Sequence, residues 1–341
     1  MSFTVALNFE DGVSRFIQCN PNERVLDAAY RQKINLPMDC SDGVCGTCKC
    51  HCEQGEYQLG DDYLEEALSE QEAAQRRVLT CQMVPLSDCV IEVPMPSTMC
   101  KTASEMFTAT VTSATALSDS AIEFCLTLDD ERGIAFLPGQ YVNIDVPGSA
   151  ASRAYSFSSP PGSRQLSFLL RNVPGGMMSR YLTERASPGD AIRLRGPQGS
   201  FYLRAPVRPM LFLAGGTGLA PFLSMLEYLA LGGSEQPVHL IYGVTHDHDL
   251  VKLEQLEAYR QRLANFSYLT CVASETSFST HKGYVTQHLD ESLLNNGDLD
   301  VYLCGPPPMV EAVLGDFQRR AFIPHSFHYE KFAPSQADGR S

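Results

Sequence analysis

Five cysteines fall within fourteen positions in the stretch DCSDGVCGTCKCHC, residues 39–52. Thiols this dense, set among glycines and small polar residues, point to metal binding rather than core packing. The spacing Cys40-x4-Cys45-x2-Cys48, completed by Cys81 in VLTCQM, is that of a plant-type [2Fe–2S] cluster. Four thiolates there hold two ferric ions, and Gly43, Gly46 and Thr47 are small enough to let backbone N–H groups approach sulfur. A structural zinc site is the alternative. Zinc usually takes paired C-x2-C knuckles, and Cys81 has no partner at that spacing. The ligand spacing skips Cys50 and Cys52, while Cys19, Cys89, Cys100, Cys125 and Cys271 read as small apolar residues.

Four further stretches carry chemistry. RAYSFSSPP, residues 153–161, offers Arg153, Tyr155 and Ser156. A guanidinium can neutralise a pyrophosphate, a phenol ring can stack on a flavin, and a hydroxyl can hydrogen-bond flavin N5. An edge strand with a surface arginine explains the same three residues more blandly. FLLRNVPGGMMSRYL, residues 168–182, then places Gly175 and Gly176 before a helix start, where backbone N–H groups cradle phosphate. MLFLAGGTGLAPFLSML, residues 210–226, is strand, glycine turn and helix, with Gly215, Gly216, Thr217 and Gly218 opening the backbone to a pyrophosphate. It departs from G-x-G-x-x-G because Pro221 stands where the last glycine belongs, which argues against an ordinary Rossmann dehydrogenase. At the end of the next strand, Gly243 is followed by Asp247 and Asp249 in THDHDL, and the nearest basic residue is Lys252. Carboxylates there repel a 2′-phosphate and accept from a 2′-hydroxyl, so NADH is expected rather than NADPH.

These groups need three kinds of scaffold. Phe3, Val5, Leu7 and Phe9 alternate along an N-terminal strand, and Asp11-Gly12 makes a hairpin turn; with acids and no basic region there, no export signal is expected. FTATVTSATAL, AIEFCLTLDD, QYVNIDVP, QLSFLLRNV and DAIRLRGPQG are short strands between Gly/Pro turns, the grammar of an antiparallel barrel, with one helix in SRYLTERA. PMLFLAG, PVHLIYG, FSYLTCVA and DVYLCGP are apolar runs alternating with helical spacing, which predicts a doubly wound parallel α/β sheet. The expected domains are 1–98, 99–206 and 207–341, an α+β domain followed by a barrel and an α/β domain. Net charge is −14, which disfavours nucleic acid. Residues 1–98 hold 16 acidic against 7 basic side chains, so the cysteine-rich third is also the acidic third. Acid there suits steering towards a basic partner, and also plain solubility. No apolar run is long enough for a membrane span. The clumped thiols suit a reducing cytoplasm, and a monomer is expected.

LNFEDG…RFI, VLDAAYRQKINLPMDCSDGVCGTCKC and VLTCQMVPLSDCVI resemble the ferredoxin module of ring-hydroxylating dioxygenase reductases. The likeness is to the benzoate-type group, with its toluate and anthranilate relatives, and it covers nearly the whole chain. It implies a β-grasp-like ferredoxin, a flavin barrel of the ferredoxin–NADP reductase superfamily and a nucleotide domain, with FAD favoured over FMN. On this resemblance Arg153, Tyr155 and Ser156 contact the flavin, and Gly176, Met178 and Ser179 hold its phosphates. Leu170, Arg171, Gly175 and Met177 line the same site. GGTGLAP is similar to the superfamily's pyrophosphate turn. In LCGPPPMVEAV, Cys304 and Gly305 then lie near the nicotinamide and Met309 supports the nucleotide. In HYEKF, Phe332 covers the flavin until nicotinamide displaces it. Core packing is the alternative for both Cys304 and Phe332. Ser156, Cys304 and Phe332 are the expected catalytic residues, Cys40, Cys45, Cys48 and Cys81 the metal ligands. The implied activity is electron transfer from NADH to the terminal oxygenase of a benzoate-type dioxygenase. A multicomponent monooxygenase is the alternative acceptor, and a ferredoxin-like carrier without flavin or NADH chemistry a third reading.

Overall fold

The computed structural model describes residues 2–38, 43, 46–60, 63–65, 67–100, 105–199 and 201–332. The chain divides into two compact units, Met1–Glu105 with Gln198–Ser200, and Met106–Pro197 with Phe201–Ser341.

The first unit starts with β1 (Phe3–Phe9) and β2 (Ser14–Cys19), an antiparallel pair. Val5, Leu7 and Phe9 face inward, and Gly12, at φ 75°, takes the turn position that a side chain would strain. Helix α1 (Val25–Arg31) buries Val25, Leu26, Ala28 and Ala29. Next come β3 (Lys49–Gln54), β4 (Tyr57–Leu59), helix α2 (Glu70–Ala74), β5 (Arg77–Leu79), β6 (Met83–Pro85) and β7 (Cys89–Val93). A Ser69–Glu72 capping box starts α2. The sheet runs β2-β1-β7-β3-β5, with β1 and β7 parallel at its centre, and β4 pairs with β6 apart from it. Cys50 and Cys52, skipped by the ligand spacing, are fully buried in this core.

The second unit begins with a six-stranded sheet: β8 (Glu105–Ala116), β9 (Ala121–Leu128), β10 (Tyr141–Asp145), β11 (Ser152–Ser156), β12 (Gln165–Arg171) and β13 (Ala191–Gln198). Its order is β11-β10-β13-β8-β9-β12. An antiparallel bridge between Phe157 and Phe168 joins the two end strands, so the sheet closes on itself. The arginine strand β11 is thereby no open edge. Phe124, Phe157 and Phe168 fill the interior, with Phe157 stacked on Phe136 at 3.8 Å. Helix α3 (Met177–Glu184) lays Met178, Tyr181 and Leu182 on the same core.

The rest is a parallel sheet of β14 (Met210–Gly215), β15 (Val238–Val244), β16 (Phe266–Val272), β17 (Asp300–Gly305) and β18 (Ser326–Lys331) in the order β16-β15-β14-β17-β18. The connecting helices are α4 (Ala220–Gly232), α5 (Leu253–Arg262), α6 (Glu291–Leu294) and α7 (Pro307–Arg319). Strand side chains alternate between two apolar layers: Phe212, Leu240 and Tyr302 meet α4 and α5, while Leu211, Leu213, Ile241 and Leu303 meet α7. Strand order reverses between β14 and β17, and a crevice at that switch point is where such sheets bind ligands.

Candidate functional site

In the first unit the antiparallel pairing of β3 with β5 sets Lys49 opposite Leu79. That register brings the flanking residues Cys48 and Cys81 together. Both are buried, and their Sγ atoms lie 3.2 Å apart. Thiolates about 2.3 Å from one tetrahedral metal ion sit roughly 3.8 Å apart, so this pair fits one metal edge with a small opening. The Thr80 N–H donates to the Cys48 carbonyl at 3.1 Å and ties the two segments. Gly43 and Gly46 adopt φ 76° and 74°, the left-handed backbone that a loop folded around sulfur needs. Cys40 and Cys45 lie outside the described residues.

In the second unit three strand ends converge. Ser156 Oγ, last residue of β11, donates to Glu330 Oε2 at 3.3 Å, and Cys304 Sγ, on β17, donates to the same oxygen at 3.8 Å. Glu330 is on β18, beside Cys304 in the parallel register, and all three are buried. Burial, with the Glu330 carboxylate alongside, pushes the Cys304 thiol far above its ordinary range, so it stays protonated. Glu330 was missed in the sequence. Its signal was a lone acid among aromatic and basic residues on a strand otherwise suited to packing.

The glycine turn is built by close approach. A Cβ on Gly218 would overlap the Cys304 carbonyl, and one on Gly215 would overlap Met309 Sδ. Gly305 is held as tightly, with a Cβ there falling 2.9 Å from Met309 Sδ. Met309 thus packs on two glycines at once. Gly216 has φ 55° and open space where a side chain would be, and it opens the 3-10 turn that also contains Thr217. Pro221 sits in the first turn of α4, where its missing N–H costs nothing. These features leave a backbone surface that a pyrophosphate can approach.

On the barrel, Arg153 and Tyr155 are half-buried on β11, and burial raises the Tyr155 phenol above its usual range. Gly176 is the N-cap of α3 with no side-chain cap, and Gly175 has φ 74°. Ser179 Oγ accepts the Val173 N–H at 2.8 Å, which shapes the glycine loop and leaves the hydroxyl proton for another acceptor. Leu170 and Met178 turn their side chains into the barrel core, so only their backbone can face a ligand. Arg171 and Met177 are exposed.

Gly243 is closely packed, since a Cβ there would press on Val285 at 2.7 Å and Cys271 at 3.4 Å. Asp249 is engaged by His246 N–H and Ser120 Oγ, and Lys252 by Glu123. Asp247 remains exposed, with Oδ1 accepting from Ser277 Oγ at 2.7 Å. Phe332 is partly buried against the α4–α5 layer, and its N–H donates to the Gly305 carbonyl at 3.0 Å. No helix among the described residues is long and apolar enough to cross a membrane.

A thiol-lined site, a closed barrel and a parallel sheet with a glycine turn at its switch point define an iron–sulfur flavoprotein oxidoreductase. Family models agree: a 2Fe-2S iron-sulfur cluster binding domain matches residues 8–86, an oxidoreductase FAD-binding domain 108–202 and an oxidoreductase NAD-binding domain 212–314. The toluate 1,2-dioxygenase electron transfer component of Pseudomonas putida is 56% identical, over 98% of this chain and 100% of that protein. The 2-halobenzoate 1,2-dioxygenase electron transfer component of Burkholderia cepacia is 48% identical over 98% and 99%. Among solved structures, a cytochrome P450 reductase from Amycolatopsis superposes with TM-score 0.72 at 31% identity, over 97% of this chain and 99% of that one. The ferredoxin reductase in carbazole 1,9a-dioxygenase gives 0.65 at 26% identity over 97% and 100%. The chain belongs to the family of aromatic 1,2-dioxygenase electron transfer components, with FAD, NAD and a [2Fe–2S] cluster as its cofactors.

The glycine turn gives a direct prediction. Gly218→Ala forces the turn away from the Cys304 carbonyl, so KM for NADH should rise at least about tenfold, or roughly 1.4 kcal/mol. Flavin and cluster absorbance should be unchanged. Unaltered NADH kinetics in this variant contradict a close backbone approach at Gly218.

Proposed function

We propose that the protein takes electrons from NADH and passes them through FAD and the [2Fe–2S] cluster to the terminal oxygenase of a benzoate-type 1,2-dioxygenase, with benzoate as the first substrate to test. The observation that carries this reading is the meeting of Ser156, from the barrel, with Cys304 and Glu330, from the nucleotide sheet. A site joining a flavin barrel to a nucleotide sheet is where a flavin and a nicotinamide can meet. When bound, a flavin accepts a hydride and releases electrons singly, which matches a two-electron donor to a one-electron cluster.

Residue roles follow as part of the proposal. Glu330 supplies negative charge where the nicotinamide becomes positive, and Ser156 and Cys304 fix the carboxylate's direction. Arg153 neutralises pyrophosphate, Tyr155 stacks on the flavin, and the backbone of Gly175, Gly176, Met177, Met178 and Ser179 takes its phosphates. Gly215, Gly216, Thr217 and Gly218 take the coenzyme pyrophosphate, Met309 and Gly305 shape that turn, and Phe332 lies over the flavin. Cys40, Cys45, Cys48 and Cys81 ligate the cluster. The proposed domains, 1–98, 99–206 and 207–341, each contain one family-model match. A cytoplasmic monomer without nucleic-acid binding completes the reading; the net charge of −14 supports the last point. The monooxygenase alternative has weaker support, a propane 2-monooxygenase reductase component of Rhodococcus jostii at 31% identity.

Replacing Cys48 or Cys81 by Ser should abolish cluster absorbance and cytochrome c reduction while NADH-driven ferricyanide reduction survives, because flavin alone serves ferricyanide. Cluster loss in Cys50→Ser with retention in Cys81→Ser contradicts the ligand set. Coenzyme choice is tested separately. NADH should be preferred over NADPH by at least about tenfold, and Thr245→Arg with Asp247→Ser should narrow that gap by improving NADPH. Unchanged NADPH turnover in the double variant means that this loop does not read the ribose.

A further inference from the structure

The segment joining β15 to α5, residues 245–252, is gripped from outside its own sheet. Its only regular structure is a 3-10 turn, Asp247–Asp249. Asp249 Oδ2 accepts the His246 N–H at 3.0 Å, and its Oδ1 accepts from Ser120 Oγ, in the β8–β9 hairpin of the barrel. Tyr242, buried on β15, donates its hydroxyl to the Asp249 carbonyl at 3.3 Å. At the other end, Lys252 is the N-cap of α5 with φ 63° and no side-chain cap. That left-handed backbone suits glycine or asparagine and strains a lysine. The lysine ammonium instead pairs with Glu123 on β9. Beneath both contacts, Ala121 and Leu117 of the barrel pack with Tyr242, Val244, Leu250 and Val251 in one apolar cluster.

Two barrel side chains therefore hold the second half of the segment, and Asp249 carries that hold back to His246, so that the exposed Asp247, whose Oδ1 accepts from Ser277 Oγ, lies between His246 and Asp249. We infer that Ser120 and Glu123 are positioning residues for the dinucleotide: by fixing Asp249 and Lys252 they hold the loop that presents Asp247 to the ribose. This rests on the ribose-reading role proposed for Asp247. A short irregular loop loses conformational freedom when it grips a ligand, and that cost weakens binding unless the loop is ordered beforehand. The barrel orders it beforehand. The domain that holds the flavin thus also tunes affinity for the adenosine half of the coenzyme. Because the loop lies away from the reacting atoms, its release should weaken ground state and transition state equally, raising KM and leaving kcat.

The test uses the full-length holoprotein, with steady-state ferricyanide reduction by NADH and by NADPH. Ser120→Ala and Glu123→Gln should each raise KM for NADH by about threefold or more, leave kcat within about twofold, and reduce the preference for NADH. Ser120→Thr, which keeps the hydroxyl, should retain the original KM. Lys252→Gly relieves the strained backbone while removing the ion pair, so KM should rise although the melting temperature does not fall. If these variants lower melting temperature but leave KM and coenzyme preference unchanged, the contacts are structural only and the inference is overturned. Asp247→Ser separates the two levels. Should it leave KM and preference unchanged, the ribose reading itself fails, and this inference with it. Should it shift the preference while the barrel variants do not, only the positioning role fails.

Discussion

A carboxylate buried in protein is tolerable only where donors meet it, because desolvation of the charge otherwise outweighs any packing gain. Glu330 is such a carboxylate, and the second unit is arranged around its demands. One donor comes from the barrel, Ser156, and one from the neighbouring strand, Cys304. Cys304 in turn is fixed by the glycine turn, whose Gly218 lies against its carbonyl, and Met309 closes on Gly215 and Gly305. The parallel register of β17 with β18 sets Cys304 beside Glu330. Displacing any of these strand ends takes a donor away from the carboxylate, so the packing of the sheet and the chemistry of the site share one constraint.

The barrel serves the nucleotide sheet in a second way. Its β8–β9 hairpin contributes Ala121 to the core that α4 and α5 cover, and Leu117 packs against it. With that seam packed, Ser120 and Glu123 reach Asp249 and Lys252 across it. Apolar contact supplies most of the adhesion, since burial stabilises by about 25 cal/mol per Å². The polar pairs supply direction instead, as hydrogen bonds and ion pairs of this exposure contribute modestly to stability.

Much of this was legible in the sequence because local rules were obeyed. Apolar runs ending in glycine gave β14, β15 and β17, and Gly/Pro-punctuated strands gave the barrel. The cysteine spacing brought out Cys48 and Cys81, which the β3–β5 register then joins. What stayed hidden depends on contacts between distant segments. Glu330 lies 174 residues from Ser156, and no local pattern announces that pairing. Asp247 and Asp249 look equivalent in THDHDL, yet only the fold shows Asp249 turned to Ser120, 129 residues away. The tight packing of Gly243 was likewise hidden, because Val285 and Cys271, which occupy the space a side chain would need, come from distant segments.

The central claim is that one chain carries a hydride acceptor and a one-electron outlet in series. Anaerobic titration of the holoprotein with NADH, followed in the visible, tests it most directly. Flavin and [2Fe–2S] absorbance should both bleach, with an endpoint of about three electrons per chain, two for the flavin and one for the cluster. Bleaching of the flavin at about two electrons, with the cluster still oxidised and reducible only by a stronger chemical reductant, would contradict it.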